Sequence, residues 1–199
     1  MSYPIPQKAN NVQIEIKKSR FIAFVKHISS REEGMAWLSE LKSEYKDARH
    51  HCWAYQLGNP SCSTNAGMGD DGEPSGTAGK PILNILRHKQ VGDIMIIVVR
   101  YFGGIKLGAG GLTRAYSQAA QSVMEVLTTE QAVEMDQVSI ICDFALEQQI
   151  RHWIGLLDGL VESVDYGQQV TMVITVPQEE TDGFVTQLES TLCEFKVVY

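Results

Sequence analysis

Two neighbouring stretches decide the fold of this chain: GMGDDGEPSGTAGKP at residues 67–81 and IMIIVVRYFGGIKLGAGGLTRAY at residues 94–116. Between Gly67 and Tyr116 lie 11 of the chain's 17 glycines, so the sharp turns and close backbone approaches are concentrated here. Residues 94–99 are apolar without alternation, which predicts a central strand covered on both faces. The sequence thus predicts two glycine-rich loops, at 70–80 and 103–111, beside one buried strand, and loops on a rigid scaffold often carry function.

Outward from this strand, hydrophobic periodicity predicts an α+β chain of two domains, residues 1–130 and residues 131–199. In the first domain, strands are predicted at 12–16, 21–28 and 51–57, and helices at 31–46, shortly after Pro81, and from 112 to about 127. The second domain repeats the pattern more compactly. Its predicted order is βαββαβ, which is the ferredoxin-like arrangement.

Charge divides the chain in the same way. Residues 1–130 hold 15 Lys and Arg against 12 Asp and Glu, a net charge of +3, whereas residues 131–199 hold 2 against 12, a net charge of −10. An anion such as nucleic acid therefore suits the first domain and not the second. No apolar run approaches the roughly 20 residues that span a bilayer, and no secretory signal is visible, so we expect no membrane association and a cytoplasmic protein.

Two nucleotide-binding motifs match by letter and fail by context. Gly67-x-Gly69-x-x-Gly72 resembles a dinucleotide fingerprint, but acidic residues lie inside it and Glu73-Pro74 follow it, so no helix opens on its last glycine. Gly79-Lys80 is not a phosphate-binding P-loop, because Pro81 stands where a Ser or Thr would hold magnesium. Both motifs are interpreted as loops. The four cysteines are widely spaced, which favours reduced, mostly buried thiols over a zinc site.

A better anion candidate is the run from Gly108 to Arg114 at the start of the long helix. Free N–H groups and the helix dipole attract negative charge there, and Lys106, Thr113 and Arg114 add donors. The alternative is that the glycines only permit a tight strand-to-helix turn. Both interpretations stay open.

Three carboxylates, Asp70, Asp71 and Glu73, lie within four residues. They could hold a divalent cation or pair with basic groups such as Arg100 and Lys80. The spacing alone favours a third interpretation, a solvated acidic turn. Ser75 and Thr77 are nucleophiles by type, but no nucleophile elbow surrounds either of them.

His50 and His51 begin a strand, so their rings are predicted to point to opposite faces and not to chelate one metal together. One ring could face the glycine loops as an acid, base or phosphate contact, while a structural role suits the other. Tyr101 and Phe102 are among the aromatic residues that could stack on bases, although core packing is the commoner role.

The motifs DARHHCWAY at 47–55, DDGEPSGTAGKP at 70–81 and VVRYFGGIKLGAGGLTRAY at 98–116 closely resemble the YigZ/IMPACT family, in its bacterial two-domain layout. The resemblance implies a first domain similar to the second domain of ribosomal protein S-five and a ferredoxin-like second domain resembling the fifth domain of elongation factor G. Eukaryotic relatives carry an additional N-terminal protein-binding domain and restrain a stress kinase. We expect no such domain here and do not carry that role over.

The leading hypothesis is a translation-linked regulator that binds RNA or a ribosomal surface through residues 1–130, while the acidic second domain contacts protein. The rival is an enzyme or a small-anion-binding protein that uses the same loops. No catalytic residue, metal or cofactor is assigned. The candidate binding residues are His50, His51, Asp70, Asp71, Glu73, Ser75, Thr77, Lys80, Arg100, Tyr101, Gly103, Gly104, Lys106, Gly108, Gly110, Gly111, Thr113 and Arg114.

Overall fold

Strand β6 (Ile94–Tyr101) is the middle of a five-stranded antiparallel sheet, and all but its last residue are buried. It pairs with β3 (Ser19–His27) on one side and with β4 (His50–Leu57) on the other. The outer strands are β2 (Asn10–Ile16) and β5 (Asn65–Gly69), in the order β2-β3-β6-β4-β5. Helices cover both faces of the sheet, which explains why residues 94–99 of β6 are all apolar.

Helix α1 (Arg31–Glu44) packs on one face, where Leu38 and Leu41 meet the side chains of alternate sheet residues such as Ile97. Helices α2 (Gly79–Lys89) and α3 (Ala109–Glu125) cover the other face. Ser30 caps α1 by accepting from the N–H of Glu33, and the Glu33 carboxylate accepts in turn from the N–H of Ser29. The loops before α2 and α3 therefore open at the same face of the sheet.

The structure is a computed structural model that describes residues 2–62, 65–191 and 193–198. Residues Tyr3–Ala132 form one compact unit, the first unit; the described residues from Val133 onward, with Ser2, form the second unit. Both units combine an antiparallel sheet with helices, so the chain is of the α+β class. No helix within the described ranges has the length and apolar character to span a bilayer.

The second unit has the predicted element order βαββαβ. Its sheet order is β11-β8-β10-β9, with both helices on one face around residues such as Ile140, Met172 and Phe184. Its elements are β8 (Met135–Cys142), α4 (Phe144–Leu156), β9 (Leu160–Tyr166), β10 (Val170–Pro177), α5 (Gln178–Glu189) and β11 (Glu194–Val198).

Three strands lie where the sequence predicts none. β1 (Tyr3–Pro6) pairs with β7 (Thr129–Ala132), and the two prolines of β1 hide it from a strand pattern. The third is β5, which occupies the start of the predicted glycine loop. A Cβ on Gly67 would lie 2.6 Å from the ring of Tyr55, and one on Gly69 would lie 2.5 Å from the ring of Trp53. The glycines are there because aromatic rings of β4 cover this strand.

Candidate functional site

The loop of residues 70–78, hereafter the acidic loop, is closed by the carboxylate of Asp70. Its Oδ2 accepts from the N–H of Gly76 (2.7 Å), and its Oδ1 accepts from the N–H groups of Ala78 (3.0 Å) and Gly79 (2.8 Å). Burial opposes ionisation of Asp70, but these three N–H donors outweigh it and lower its pKa. Asp70 thus occupies the N-terminus of α2 as a built-in anion.

Asp71 ties the acidic loop to its surroundings. One carboxylate oxygen accepts from Lys42 Nζ on α1 (2.6 Å), and the other accepts from the backbone N–H of His51 (2.7 Å). Burial alone would raise the pKa of Asp71, yet Lys42 and the His51 N–H together lower it. Both carboxylate oxygens are therefore engaged by the protein itself.

Glu73 is buried, contrary to the solvated turn that spacing favours. Its Oε1 accepts from Arg100 Nη1 (2.5 Å) and from the hydroxyl of Tyr116 on α3 (2.8 Å). Burial raises the pKa of Tyr116, so its hydroxyl stays protonated and remains a donor. One of the alternatives left open by the sequence, the pairing of a loop carboxylate with Arg100, forms at Glu73. Among the described residues, Lys80 does not pair with a carboxylate of this loop.

Arg100 itself is only 6% exposed. Its Nε–H has no hydrogen-bond acceptor among the residues that the structure describes. A buried guanidinium with an unused donor is unusual, because buried polar groups are normally hydrogen-bonded. Arg100 therefore has spare capacity to bind an acceptor.

The two histidines lie on opposite faces of β4, as predicted. His50 Nδ1 lies 2.9 Å from the carbonyl oxygen of Asp71, which can only accept, so Nδ1 carries the proton and Nε2 is the free nitrogen. That Nε2 lies 4.0 Å from Glu73 Oε1. His51 is buried on the α1 side, and burial lowers its pKa despite the nearby charge of Asp71, so the ring is neutral.

His50, Glu73 and Arg100 border a cavity of about 360 Å³, hereafter the α3 pocket, on the first unit. It is lined by Arg49, His50, Glu73, Pro74, Arg100, Phe102, Lys106, Leu107, Gly108, Ala109 and Leu112. The lining thus contains three cationic side chains, those of Arg49, Arg100 and Lys106, and one carboxylate, that of Glu73. The N-terminus of α3 adds positive potential, because its N-cap, Gly108 (φ +70°), offers no side chain to satisfy the first N–H groups.

Of the predicted binding residues, the structure brings five to the α3 pocket: His50, Glu73, Arg100, Lys106 and Gly108. Gly110 and Gly111 lie in the first turn of α3. Gly103 and Gly104 lie in the loop of residues 102–108, hereafter the basic loop. A Cβ on Gly103 would lie 1.9 Å from the backbone carbon of Lys18, so this glycine permits a backbone contact.

The other candidates lie elsewhere. Thr77 donates to the carbonyl of Pro74 (2.7 Å), Thr113 donates to that of Ala109 (3.1 Å), and Ser75 is exposed. Tyr101 lies on the α1 face under the guanidinium of Arg20, 4.1 Å from the ring centroid. Arg114 borders a separate cavity of about 210 Å³.

Six residues that line the α3 pocket are absent from the predicted binding residues, namely Arg49, Pro74, Phe102, Leu107, Ala109 and Leu112. Arg49 lies within the motif at 47–55, but the sequence does not single it out, because an exposed arginine before a strand is not part of a hydrophobic periodicity. Leu107 and Leu112 were assigned to the loop and to the helix core. The hydroxyl of Tyr116 donates to Glu73, a contact that no local sequence pattern predicts.

The described residues contain no group of three or more His, Cys, Asp or Glu side chains placed to hold a metal ion. The cation site considered for the acidic loop does not form there. Its three carboxylates diverge to three different partners, namely backbone N–H groups, Lys42 and Arg100.

Comparison with known proteins matches both units. Residues 17–124 match the Impact N-terminal domain, and residues 140–191 match a domain of unknown function, DUF1949. An IMPACT family member of Escherichia coli, YigZ, is 38% identical over 94% of this chain and 92% of its own length. An IMPACT family member of Haemophilus influenzae is 36% identical over 94% of this chain and 90% of its own length. A crystal structure described as a hypothetical protein covers 100% of this chain and 98% of its own, at 34% identity and a TM-score of 0.82.

Proposed function

This chain belongs to the IMPACT family, and from that premise we propose that it is a translation-linked regulator that binds RNA or a ribosomal surface through its first unit. The proposal takes its link to translation from the family resemblance. The observation that carries the binding mode is the excess of positive charge at the α3 pocket, where Arg49, Arg100 and Lys106 face one carboxylate.

The proposed fold assignments are consistent with that role. For the first unit we propose the fold of the second domain of ribosomal protein S-five, and for the second the ferredoxin-like fold of the fifth domain of elongation factor G. The second assignment is supported by the sheet order β11-β8-β10-β9 and by the two helices on one face. We assign residues 1–130 and 131–199 to these domains.

The second unit is proposed to meet protein and not RNA. Its net charge of −10 repels phosphate. A cavity of about 280 Å³ on this unit is bordered by Asp158, Glu179 and Glu180, together with apolar residues such as Leu156, which is 69% exposed. Carboxylates around exposed apolar groups suit a basic, partly apolar protein segment. We propose a cytoplasmic location, in agreement with the proposed link to translation.

Salt-dependent RNA binding by the full chain tests the proposal. In the double variant R49A/K106A, we expect affinity for a short single-stranded RNA to fall and the slope of log affinity against log salt to lose about one unit per removed cation. The matched control is K80A/R114A, which removes one lysine and one arginine that do not border the α3 pocket. The proposed binding of RNA at the α3 pocket is wrong if the wild type does not bind this RNA, or if the two double variants are equally impaired.

A second candidate function is the binding or turnover of a small anion. It is favoured by the buried Glu73–Arg100 pair beside the free Nε2 of His50, because a bounded cavity with convergent polar groups is typical of small-molecule sites. No residue is assigned a catalytic role.

A further inference from the structure

We propose that the α3 pocket binds the terminal phosphate of a phosphate monoester, with the phosphate oxygens on the N-terminus of α3 and on Arg100. The inference rests on the proposed engagement of phosphate by the first unit. It adds the chemical class of the ligand and the two groups that contact it most deeply.

The first support is the contrast between two helix N-termini. At α2, the carboxylate of Asp70 accepts from the N–H groups of Ala78 and Gly79 and so fills the anion position. At α3, a helix of 17 residues, the N-cap is a glycine without a side chain, and Gly108 and Ala109 border the pocket. The end of α3 is therefore open to an external anion of the kind that Asp70 supplies at α2.

The second support is Arg100, which is independent of the helix. More than nine tenths of this residue is buried, it borders the same pocket, and its Nε–H lacks an acceptor within the described chain. Its Nη1 donates to Glu73. Planar guanidinium donors match phosphate oxygens. A phosphate at the end of α3 would give this donor its partner.

The charge of Arg100 is already balanced by Glu73, so the pocket does not depend on a ligand for stability. The excess positive charge comes from Arg49 and Lys106, which are both exposed at the border of the pocket. Two exposed cations and a helix N-terminus suit a ligand of nearly two negative charges. A phosphate monoester carries about −1.5 to −2 near pH 7 and offers three free oxygens.

An internal phosphodiester fits this pocket poorly. It carries one negative charge, has two free oxygens, and is flanked on both sides by bulky groups that would hold it away from a buried guanidinium. A terminal phosphate can enter by its free end. The inference thus separates the end of a phosphorylated molecule from the middle of a nucleic acid strand.

The remaining wall indicates the size of the ligand. Phe102, Leu107 and Leu112 give the pocket an apolar side, and its volume of about 360 Å³ lies at the low end of the roughly 300–1,000 Å³ of small-molecule sites. A monoester with a small organic part fits. Its source is either a free phosphometabolite or the phosphorylated end of an RNA strand, which share this chemistry.

Calorimetric titration of the full chain tests the proposal with matched probes. These are inorganic phosphate, adenosine 5′-monophosphate against adenosine, and one short RNA with a 5′-phosphate against the same RNA with a 5′-hydroxyl. We expect phosphate and the monophosphate to bind and adenosine not to bind. Preference of the RNA for its phosphorylated form would place the source at RNA ends. Equal affinity of the two RNAs, with the monophosphate still bound, would place it among free phosphometabolites.

Variants locate the binding. K106A and R49A should each weaken monophosphate binding about tenfold, as loss of a charged contact does, while K80A and R114A should match the wild type. E73Q/R100Q removes both charges of the buried pair as a unit, and Gln is shorter than the Arg that it replaces. This variant should fold, as judged by thermal unfolding, and lose binding. If it does not fold, R100K replaces it and is expected to bind more weakly than wild type, because an ammonium lacks the planar fork.

The proposal is overturned if neither phosphate nor the monophosphate binds, or if K80A and R114A impair binding as much as K106A and R49A. RNA binding that depends on Arg49 and Lys106 without any monophosphate binding would sink this inference and leave the proposed function standing. If neither RNA nor the monophosphate binds, both this inference and the proposed function are overturned.

Discussion

The acidic loop and the basic loop look alike in sequence, since each is rich in glycine, follows a strand and leads into a helix, yet they satisfy those helices differently. The acidic loop closes on itself through Asp70 and is tied to α1 and β4 through Asp71. The basic loop leaves the N-terminus of α3 without a side-chain cap, beside Lys106 and Arg100. The acidic loop supplies its own anion, Asp70. We propose that the basic loop receives an anion from a ligand.

The same difference separates the three carboxylates of the acidic loop. Asp70 accepts from backbone N–H groups and Asp71 pairs with Lys42. Glu73 instead borders the α3 pocket and balances the charge of Arg100. The proposed anion site thus lies next to a closed acidic loop. Substitutions that disrupt one loop at a time therefore separate the structural role of each loop from its role in binding.

The largest expected effect is at Gly103 of the basic loop. Gly103→Ala would place a Cβ 1.9 Å from backbone of Lys18, so the loop must shift, and we expect the free energy of unfolding to fall by about 3 kcal/mol or more. Gly110→Ala is the matched control, because its Cβ meets nothing within 4 Å, and it should raise stability by roughly 0.5–1 kcal/mol. Urea unfolding measures both. Equal effects of the two substitutions would contradict the close contact.

The next effect is at Asp70 of the acidic loop. Asp70→Asn keeps the shape but turns an NH₂ group toward backbone N–H groups, so we expect stability near pH 7 to fall by about 2–3 kcal/mol. The folded pKa of Asp70 is lowered, so the carboxylate stabilises the fold above its unfolded pKa of about 3.8 and loses this contribution as pH falls through the folded value.

The difference between wild type and Asp70→Asn should accordingly be constant from about pH 5 to pH 8 and shrink below about pH 4. Denaturant unfolding at a series of pH values measures it. A difference that stays the same into the acid range would show that the Asp70 charge does not close the loop.

The smallest effect concerns Cys52, whose thiol donates to the carbonyl of Asp70 beneath the acidic loop (2.9 Å). Burial raises the pKa of Cys52 to about 12, so near pH 8 it should resist a thiol reagent that labels the exposed Cys62 at once. Peptide mapping by mass spectrometry reads each site.

In Asp70→Asn, labelling of Cys52 should quicken by local opening, whereas labelling of the buried Cys142 in the second unit should not change. If Cys52 of the wild type reacts as fast as Cys62, the acidic loop is not closed. If the labelling of Cys142 accelerates as much as that of Cys52, the substitution destabilises the whole chain and not the acidic loop alone.

Much of the fold could be predicted from sequence because most of its elements have clear periodicity. The alternation of β10 and the unbroken apolar run of β6 both match the observed strands. β5 could not be predicted, because its glycines are required by aromatic rings on a neighbouring strand. β1 and β7 carry too few apolar residues, and β1 has two prolines.

The location of the site could be predicted, and its internal arrangement could not. Loop positions follow from glycine, but three acids in four residues have the same letters whether they are buried or solvated. Which one meets Arg100 depends on the register of β4 and β6 and on Tyr116 of α3, 43 residues away in sequence from Glu73. Such pairings are tertiary facts without a local pattern.

An NMR titration of the full, isotope-labelled chain with adenosine 5′-monophosphate directly tests whether the N-terminus of α3 binds a phosphate. We expect the backbone amide signals of Ala109, Gly110 and Gly111 and the Nε–H signal of Arg100 to shift together and saturate. The amide signals of Ala78 and Gly79, which already donate to Asp70, should not move. Shifts at the start of α2, or none at the start of α3, would contradict the proposal.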